Sequence, residues 1–185
     1  MSKRKILYWQ IVAVFFTWIL GTILHFTYGW SGKNNIVGIF SAINESTWEH
    51  LKLSFFPMLI FSIIEGIVLY KNSNNYLEAK SISLFLSIFL ITTIFYVYTG
   101  ILGTNFVIID ILIFFISVLI SELVSYRIMV SNNESTLLSK ILSILIVIFL
   151  FICFLTFTFY TPQVHLFKDP ITNEYGIEIK KVESA

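Results

Sequence analysis

The amino-acid sequence predicts an all-α integral membrane protein, a bundle of five transmembrane helices followed by a short extracytoplasmic tail that is β-hairpin-like. The first observation is composition: of 185 residues, 57% are hydrophobic and only 12% are charged, whereas a soluble domain carries about 25% charged residues. The second is a mean hydropathy of +0.85. The third is a set of five apolar stretches of about 20 residues, the length that crosses a hydrocarbon core of about 30 Å.

The same composition excludes several other classes of protein. A secreted disulfide scaffold needs paired cysteines, and Cys153 is the only cysteine. A nucleic-acid partner is not expected, because 12 basic and 11 acidic residues leave a formal charge of +1 and no basic run exceeds the triplet at 3–5. Intrinsic disorder requires low hydrophobicity. The lipid bilayer is therefore the expected partner of this chain.

The spans are predicted to form one transmembrane domain, residues 1–160, with the tail at 161–185. Their approximate bounds are 6–28, 51–70, 82–102, 104–126 and 141–160. The first is longer than the apolar core of a signal peptide and no small-residue cleavage site follows it, so we interpret it as a permanent span. The second contains Pro57 and Glu65, the fourth contains Asp110 and Glu122, and the third and fifth carry no charge.

Basic residues near the span ends predict the orientation of the chain in the cell membrane. With the amino terminus in the cytoplasm, seven lysines and arginines lie inside and five lie outside, as the positive-inside rule favours. The inside residues are Lys3, Arg4, Lys5, Lys71, Lys80, Arg127 and Lys140, and the outside residues are Lys33, Lys52, Lys168, Lys180 and Lys181. The carboxyl terminus is therefore predicted to be extracytoplasmic.

This topology places seven side chains that can bind a metal or a proton on the outer side. They are His25, Glu45, Glu49, His50, Asp110, His165 and Asp169. Ionisable groups within spans are costly in a bilayer and usually face the bundle interior or a wet cavity. His25, His50 and Asp110 each share a helix face with small or polar residues, so three polar stripes are predicted to meet inside the bundle.

The densest polar segment runs from Asn44 to Lys52, and two interpretations of it remain open. In the structural interpretation, Ser46 and Glu49 form a capping box at the start of the second span. Trp48 then anchors the chain at the membrane interface. Lys52 either pairs with Glu49 or extends its ammonium group to the interface. This interpretation accounts for the segment without any ligand.

In the functional interpretation, Glu45 and His50 ligate a divalent metal ion. His25, Asp110 or His165 completes the set, and His25 and Asp110 are the preferred ligands. Carboxylate and imidazole ligands together suit zinc, manganese or iron. Glu49 would act as general base for a metal-bound water. The sequence contains no HExxH or CxxC motif. Because adjacent helix residues point about 100° apart, Glu49 and His50 reach one ion only if it lies between them.

The remaining ionisable residues of the spans have structural roles in our interpretation. Arg127 is expected to pair with Glu122 on its own helix or with Glu65 of the second span. Asp110, where it does not bind a metal, is expected to bond to a serine. Cys153 is expected to fill apolar space.

The tail is predicted to be structured. Residues 164–167 and 177–179 have the pattern of short strands, and the segment 169–176 between them contains turn residues such as Pro170 and Gly176. Because an isolated hairpin is only marginally stable, the tail is expected to lie on the outer mouth of the bundle as a lid over the polar residues. It is also the candidate contact for a protein partner or a second copy of the chain.

Two long motifs carry a resemblance to a known family. The first is Asn44-Glu45-Ser46-x-Trp48-Glu49-His50-Leu51-Lys52, followed by an apolar Phe-Phe-Pro at 55–57. The second is Thr158-Phe159-x-x-Pro162-x-x-x-Leu166-Phe167-x-Asp169-Pro170-x-Thr172-x-x-Tyr175-Gly176. Both resemble a family of small bacterial multi-pass membrane proteins known only as a domain of unknown function, and the resemblance covers essentially the whole chain.

The tail departs from that family's pattern, which reads Pro-Pro-His. Here Thr161-Pro162-Gln163 precedes a shifted His165, so the resemblance assigns no ligand role to His165. It implies the membrane fold and no activity.

The residues therefore leave three functions open, both enzymatic and non-enzymatic. A metal-dependent hydrolase at the outer leaflet would use the metal ligands and Glu49. A permeation protein for a proton, a cation or a small solute would use the polar stripes, with Glu65 and Glu122 extending them toward the inner side. A non-catalytic subunit would bind a protein partner through the tail.

Overall fold

The computed structural model describes residues 2–73 and 75–177. These residues form six α-helices and two short 3-10 helices. The α-helices are α1 (Lys3–Trp30), α2 (Asn35–Phe40), α3 (Thr47–Leu69), α4 (Tyr76–Leu102), α5 (Val107–Met129) and α6 (Leu137–Phe159). The 3-10 helices are Tyr70–Asn72 and His165–Phe167.

Within the described residues, five helices are long and apolar enough to cross a membrane, the same number as the apolar stretches in the sequence. They are α1, α3 with the 3-10 turn that follows it, α4, α5 and α6. The helices extend beyond the predicted spans, and α4 begins at Tyr76 rather than near residue 82. Helical hydrogen bonding continues through polar residues that a hydropathy window leaves out, so α4 is longer than the predicted third span and more polar at its start.

The five long helices alternate in direction and give the bundle two ends. The α2 end holds α2, the loop 41–46 and residues 160–177. The amino-terminal end holds the start of α1 and the loops that follow α3 and α5. Helix α1 packs against α3 and α5, and α4 packs against α3, α5 and α6. An apolar cluster closes the amino-terminal end with Ile6, Leu69, Tyr76, Ala79 and Met129.

Each long helix exposes several large apolar side chains on the outside of the bundle. Ile67 on α3 is 84% exposed and Ile108 on α5 is 75% exposed. Large apolar surface of this kind is uncommon on soluble monomers. It is consistent with contact between the bundle and lipid acyl chains.

Aromatic rings fill the core near the α2 end. The Trp48 ring centroid lies 4.7 Å from that of Phe154 and 4.8 Å from that of Phe167. Phe55 lies 4.8 Å from Phe154. The start of α3, the end of α6 and the second 3-10 helix are therefore held together by one aromatic cluster.

Helices α1 and α3 are in close contact at Gly21. A Cβ atom at this position would lie 2.4 Å from the carbonyl oxygen of Leu53 and 2.9 Å from Cζ of Phe114. Only a residue without a side chain fits there, as is common where transmembrane helices touch. This contact brings the carboxyl-terminal half of α1, with His25, close to the start of α3.

The predicted β-hairpin of the tail is not supported over the residues that the structure describes. The predicted first strand contains the 3-10 helix His165–Phe167, and the described tail has a single antiparallel bridge, between Lys168 and Tyr175. The Asp169 side chain accepts hydrogen bonds from the backbone N–H groups of Ile171 at 2.7 Å and Thr172 at 3.2 Å. Asp169 therefore organises a local turn within residues 169–176, the segment in which turn residues are predicted. Of the predicted second strand, 178–179 lie outside the described residues.

Candidate functional site

Three separate elements bring polar side chains together at the α2 end. His25 lies near the carboxyl end of α1, Glu45 lies in the loop before α3, and His50 lies in the first turn of α3. These three side chains are a group of possible metal ligands, with one ligand atom from each within 4.8 Å of the other two. We call them the His-Glu-His site.

The loop that carries Glu45 is shaped by the cap of α3. The Ser46 hydroxyl accepts a hydrogen bond from the Glu49 backbone N–H at 3.5 Å, which is half of the predicted capping box. The reciprocal half is absent from the described contacts, because the Ser46 N–H donates to the Asn44 side-chain oxygen at 3.0 Å. The Glu49 side chain is thus not needed as a cap.

Glu45 lies between the two imidazoles. Its Oε2 is 3.4 Å from Nε2 of His50, and its Oε1 is 3.9 Å from Nε2 of His25. The two imidazole ring centroids are 5.2 Å apart. The three side chains are 29–44% exposed, so the site opens to solvent at the α2 end.

A backbone carbonyl orients the His50 ring. Nδ1 of His50 lies 2.9 Å from the carbonyl oxygen of Ser46. Because a carbonyl oxygen only accepts hydrogen bonds, Nδ1 carries the proton. In the neutral imidazole, Nε2 therefore presents its lone pair toward Glu45, which is the usual arrangement of a metal-binding histidine.

The electrostatics of the site favour a positive charge between these groups. The hydrogen bond with His50 lowers the pKa of Glu45 below its usual value, and this effect outweighs the partial burial of the carboxylate, which acts in the opposite direction. With His50 neutral, a carboxylate oxygen and an imidazole lone pair face each other. A proton on the imidazole or a metal ion between the two atoms removes this repulsion.

Glu49 lies outside the His-Glu-His site. Its Oε2 accepts hydrogen bonds from Lys52 Nζ at 2.6 Å and from the Ile43 N–H at 3.1 Å. Lys52 Nζ also donates to the carbonyl oxygen of Gly38 at 2.9 Å. Both charged side chains are buried, so the pair ties α3 to α2 and to the loop before α3.

Asp110 and His165 also lie outside this group. The Asp110 carboxylate accepts hydrogen bonds from the Tyr98 hydroxyl and from the Asn105 side-chain amide, the latter at 3.0 Å. Asp110 therefore closes the short connection between α4 and α5. The His165 ring lies against Tyr96, with 6.0 Å between ring centroids.

The carboxyl-terminal segment docks onto the loop that carries Glu45. Asn44 donates to the carbonyl oxygen of Gly176 at 3.3 Å, and the Glu45 N–H donates to the Asp169 carboxylate at 3.5 Å. The Trp48 ring packs on Phe167. The segment therefore lies at the same end of the bundle as the His-Glu-His site, as expected for the tail.

Comparison with known proteins places the chain in a family. Residues 1–177 match a family of unknown function (DUF6512). The chain belongs to this family. No curated protein and no solved structure matches it. Membership covers the bundle and the described tail together, so both belong to one family unit, and it assigns no activity to either.

A second polar group of this family member lies near the amino-terminal end, and we call it the charge cluster. It consists of Gln10 of α1, Glu65 of α3, Lys80 of α4 and Glu122 of α5, each at most 4% exposed. Lys80 Nζ lies 2.5 Å from Glu65 Oε2 and 2.9 Å from Glu122 Oε2. It also donates to Gln10 Oε1 at 3.0 Å, and the Gln10 amide donates to Glu65.

The predicted ion pairs with Arg127 are therefore wrong, because Lys80 occupies the position between the two carboxylates. Five residues along a helix turn the side chain about 140° away, so Arg127 and Glu122 lie on different faces of α5. The predicted third span begins at residue 82, which leaves Lys80 in the loop before it. Its place one turn after the start of α4 could have been found by extending that helix back to Tyr76.

Proposed function

We propose that this membrane protein binds a divalent metal ion, with zinc preferred, through His25, Glu45 and His50 at the α2 end of its bundle. The observation that carries this proposal is the convergence of three ligand atoms, from three separate elements, within 4.8 Å of one another. The hydrogen bond from His50 Nδ1 to the Ser46 carbonyl oxygen supports this proposal, because it leaves the lone pair of Nε2 available to bind the metal ion.

Two imidazoles and a carboxylate are a ligand set that suits zinc and that manganese and iron also accept. Catalytic zinc sites use three protein ligands and keep a fourth position for water, whereas structural sites are closed by four. The partial exposure of the three side chains leaves room for that water. Asp110, with its carboxylate bonded to Tyr98 and Asn105, leaves the fourth position to water in this proposal.

The chemistry that such a site favours is metal-assisted hydrolysis at the membrane surface. A metal ion with an open position lowers the pKa of its bound water and makes hydroxide available near neutral pH. Glu45, which is partly exposed, would be a ligand of the ion. Glu49 can act as the general base only when its hydrogen bond with Lys52 opens. The bias of basic residues supports an extracytoplasmic location for the α2 end.

Metal content of the purified protein tests the site. The protein is purified in detergent, loaded with zinc, desalted and measured by elemental mass spectrometry. We expect about one zinc per chain for the unchanged protein, and loss of that zinc in His50→Ala and Glu45→Ala. His165→Ala is the matched control, because this histidine lies at the same end but outside the group, and it should keep the metal.

Two results would contradict the proposal. One is the absence of bound zinc, manganese and iron from the unchanged protein after loading with each. The other is equal loss of metal in His165→Ala and His50→Ala. Melting temperatures of all variants show that the fold is retained, so that metal loss reports on the ligands.

A further inference from the structure

The charge cluster near the amino-terminal end carries an excess negative charge. Its two carboxylates, Glu65 and Glu122, face one ammonium, Lys80, and one neutral amide, Gln10. The Tyr76 hydroxyl also packs nearby, and it donates to the backbone carbonyl of Ser62 at 2.5 Å. With all three ionisable groups charged, the net charge of the cluster is −1.

The cluster lies inside the apolar part of the bundle. Its members are four to seven residues from the nearest helix ends, which is about 6–10 Å at the rise of an α-helix. An uncompensated charge at such a place is costly, and charged groups inside membranes are normally paired. Lys80 already occupies the position between the two carboxylates that a metal cation would take. A proton on one carboxylate is therefore the simplest way to neutralise the cluster.

A group of buried hydroxyls lies on the same helices as the cluster. Six of them are 0% exposed and have no hydrogen-bond partner among the described residues. They are Thr17 on α1, Ser83 and Ser87 on α4, and Ser117, Ser121 and Ser125 on α5. On α4 and α5 they are spaced four residues apart, so each set forms one stripe on a helix face.

These stripes belong to α4 and α5, which pack against each other and carry Lys80 and Glu122. Ser83 follows Lys80 by three residues and Ser125 follows Glu122 by three, so each hydroxyl shares a helix face with a member of the cluster. Buried hydroxyls in proteins are nearly always hydrogen-bonded, to protein or to ordered water. These hydroxyls therefore offer hydrogen-bonding capacity beside the cluster that an exchanging proton can use.

We infer that the charge cluster is a proton-binding site, in which Glu65 and Glu122 share one exchangeable proton above the single charge of Lys80. Binding forms one O–H bond on a carboxylate oxygen, and the proton comes from a hydronium ion that is left as water. Release reverses this step. The site is distinct from the His-Glu-His site, which lies at the other end of the bundle, and does not depend on the proposed metal.

Infrared spectroscopy of the protein in detergent or nanodiscs tests this inference directly. A protonated carboxylic acid has a C=O stretching band that is separate from the carboxylate bands and shifts in D2O. At neutral pH, we expect the unchanged protein to show one protonated carboxyl more than Glu65→Gln or Glu122→Gln. In either variant the remaining carboxylate is balanced by Lys80 and needs no proton.

Two further variants sharpen the test. Lys80→Gln leaves two carboxylates without a cation, so it should show one protonated carboxyl more than the unchanged protein. Glu78→Gln is the matched control: Glu78 lies on α4 near Lys80 but bonds to Ser139 outside the cluster, and its replacement should leave the band unchanged.

The inference is overturned if Glu65→Gln and Glu122→Gln both leave the band of the unchanged protein intact, or if that band does not shift in D2O. The two glutamine variants keep the shape of a protonated acid and leave the cluster neutral, so they are expected to fold. They decide the question even if Lys80→Gln does not fold, which circular dichroism would show.

Discussion

The buried pair of Glu49 and Lys52 offers a sharp test of whether Glu49 has a structural role. Glu49 is 3% exposed, Lys52 is 0% exposed, and their charged atoms are 2.6 Å apart. Replacing Lys52 by methionine keeps most of the side-chain volume but leaves a buried carboxylate without its cation. Removal of one partner of a buried pair costs about 3–5 kcal/mol of unfolding free energy. We expect a loss of that size for Lys52→Met.

The double variant Glu49→Leu/Lys52→Met should be less destabilised than the sum of the two single variants. It contains no unpaired charge, but the Ile43 N–H and the Gly38 carbonyl lose their partners, which costs about 1–3 kcal/mol each. A coupling energy of about 2–3 kcal/mol between the two positions is therefore expected.

Equilibrium unfolding in mixed micelles, followed by circular dichroism, measures the free energies of unfolding of the unchanged protein, the two single variants and the double variant. The exposed Lys71 provides the control, since Lys71→Met should change stability by less than about 0.5 kcal/mol. A coupling energy near zero, or a Lys52→Met loss no larger than that of the control, would refute the structural role. A Glu49→Gln variant with unchanged stability, unchanged metal content and no hydrolytic activity would favour the general base instead.

Three further predictions concern packing and pH. Gly21→Ala should lower the free energy of unfolding by about 1–3 kcal/mol, because its Cβ would lie 2.4 Å from the Leu53 carbonyl oxygen. Gly29→Ala is the control: its Cβ would have nothing within 4 Å, so it should be neutral or stabilising. Equal melting temperatures of the two variants would contradict the close approach. Trp48→Ala should lower the free energy of unfolding by about 3–5 kcal/mol and release the carboxyl-terminal segment from the bundle. Limited proteolysis should then cleave that segment faster. An unchanged cleavage rate would argue against docking through this ring. Because the pKa of Glu45 is lowered, the Glu45 carboxylate stabilises the fold at pH values above the usual pKa of 4.5, and this stabilisation is lost as the pH falls through the lowered pKa. Melting temperatures measured between pH 3 and 7 should therefore fall on the acid side. Glu45→Gln should lack this part of the fall.

In the tail, the secondary structure predicted from the sequence pattern differs from the one that the structure shows. The strand pattern at 164–167 was correct in marking an ordered segment but wrong in its type, because Phe167 is used as an anchor against Trp48 rather than as a strand residue. Asp169 then holds a turn at Ile171 and Thr172, within the segment that is predicted to be a turn. A pattern of alternating residues cannot show which ring the segment will pack against.

The polar residues divide in the same way. Charge and topology were enough to predict that His25, Glu45 and His50 lie at one end of the bundle, and that Glu49 and Lys52 can pair on one helix. Asp110 was expected in the same group, but its carboxylate accepts hydrogen bonds from Tyr98 of α4 and from Asn105 of the short α4–α5 connection.

The sequence by itself determined the five long apolar helices, which are consistent with a membrane protein, and the end of the bundle where the histidines lie. These features follow from local hydropathy and from the alternation of direction along the chain. Only the tertiary structure decided which polar groups meet. The contact of Lys80 with Glu65 and Glu122 and the convergence of His25 on Glu45 join residues far apart in the chain. Such partners are selected by how the helices pack and rotate against one another, and a single helix pattern does not contain that information.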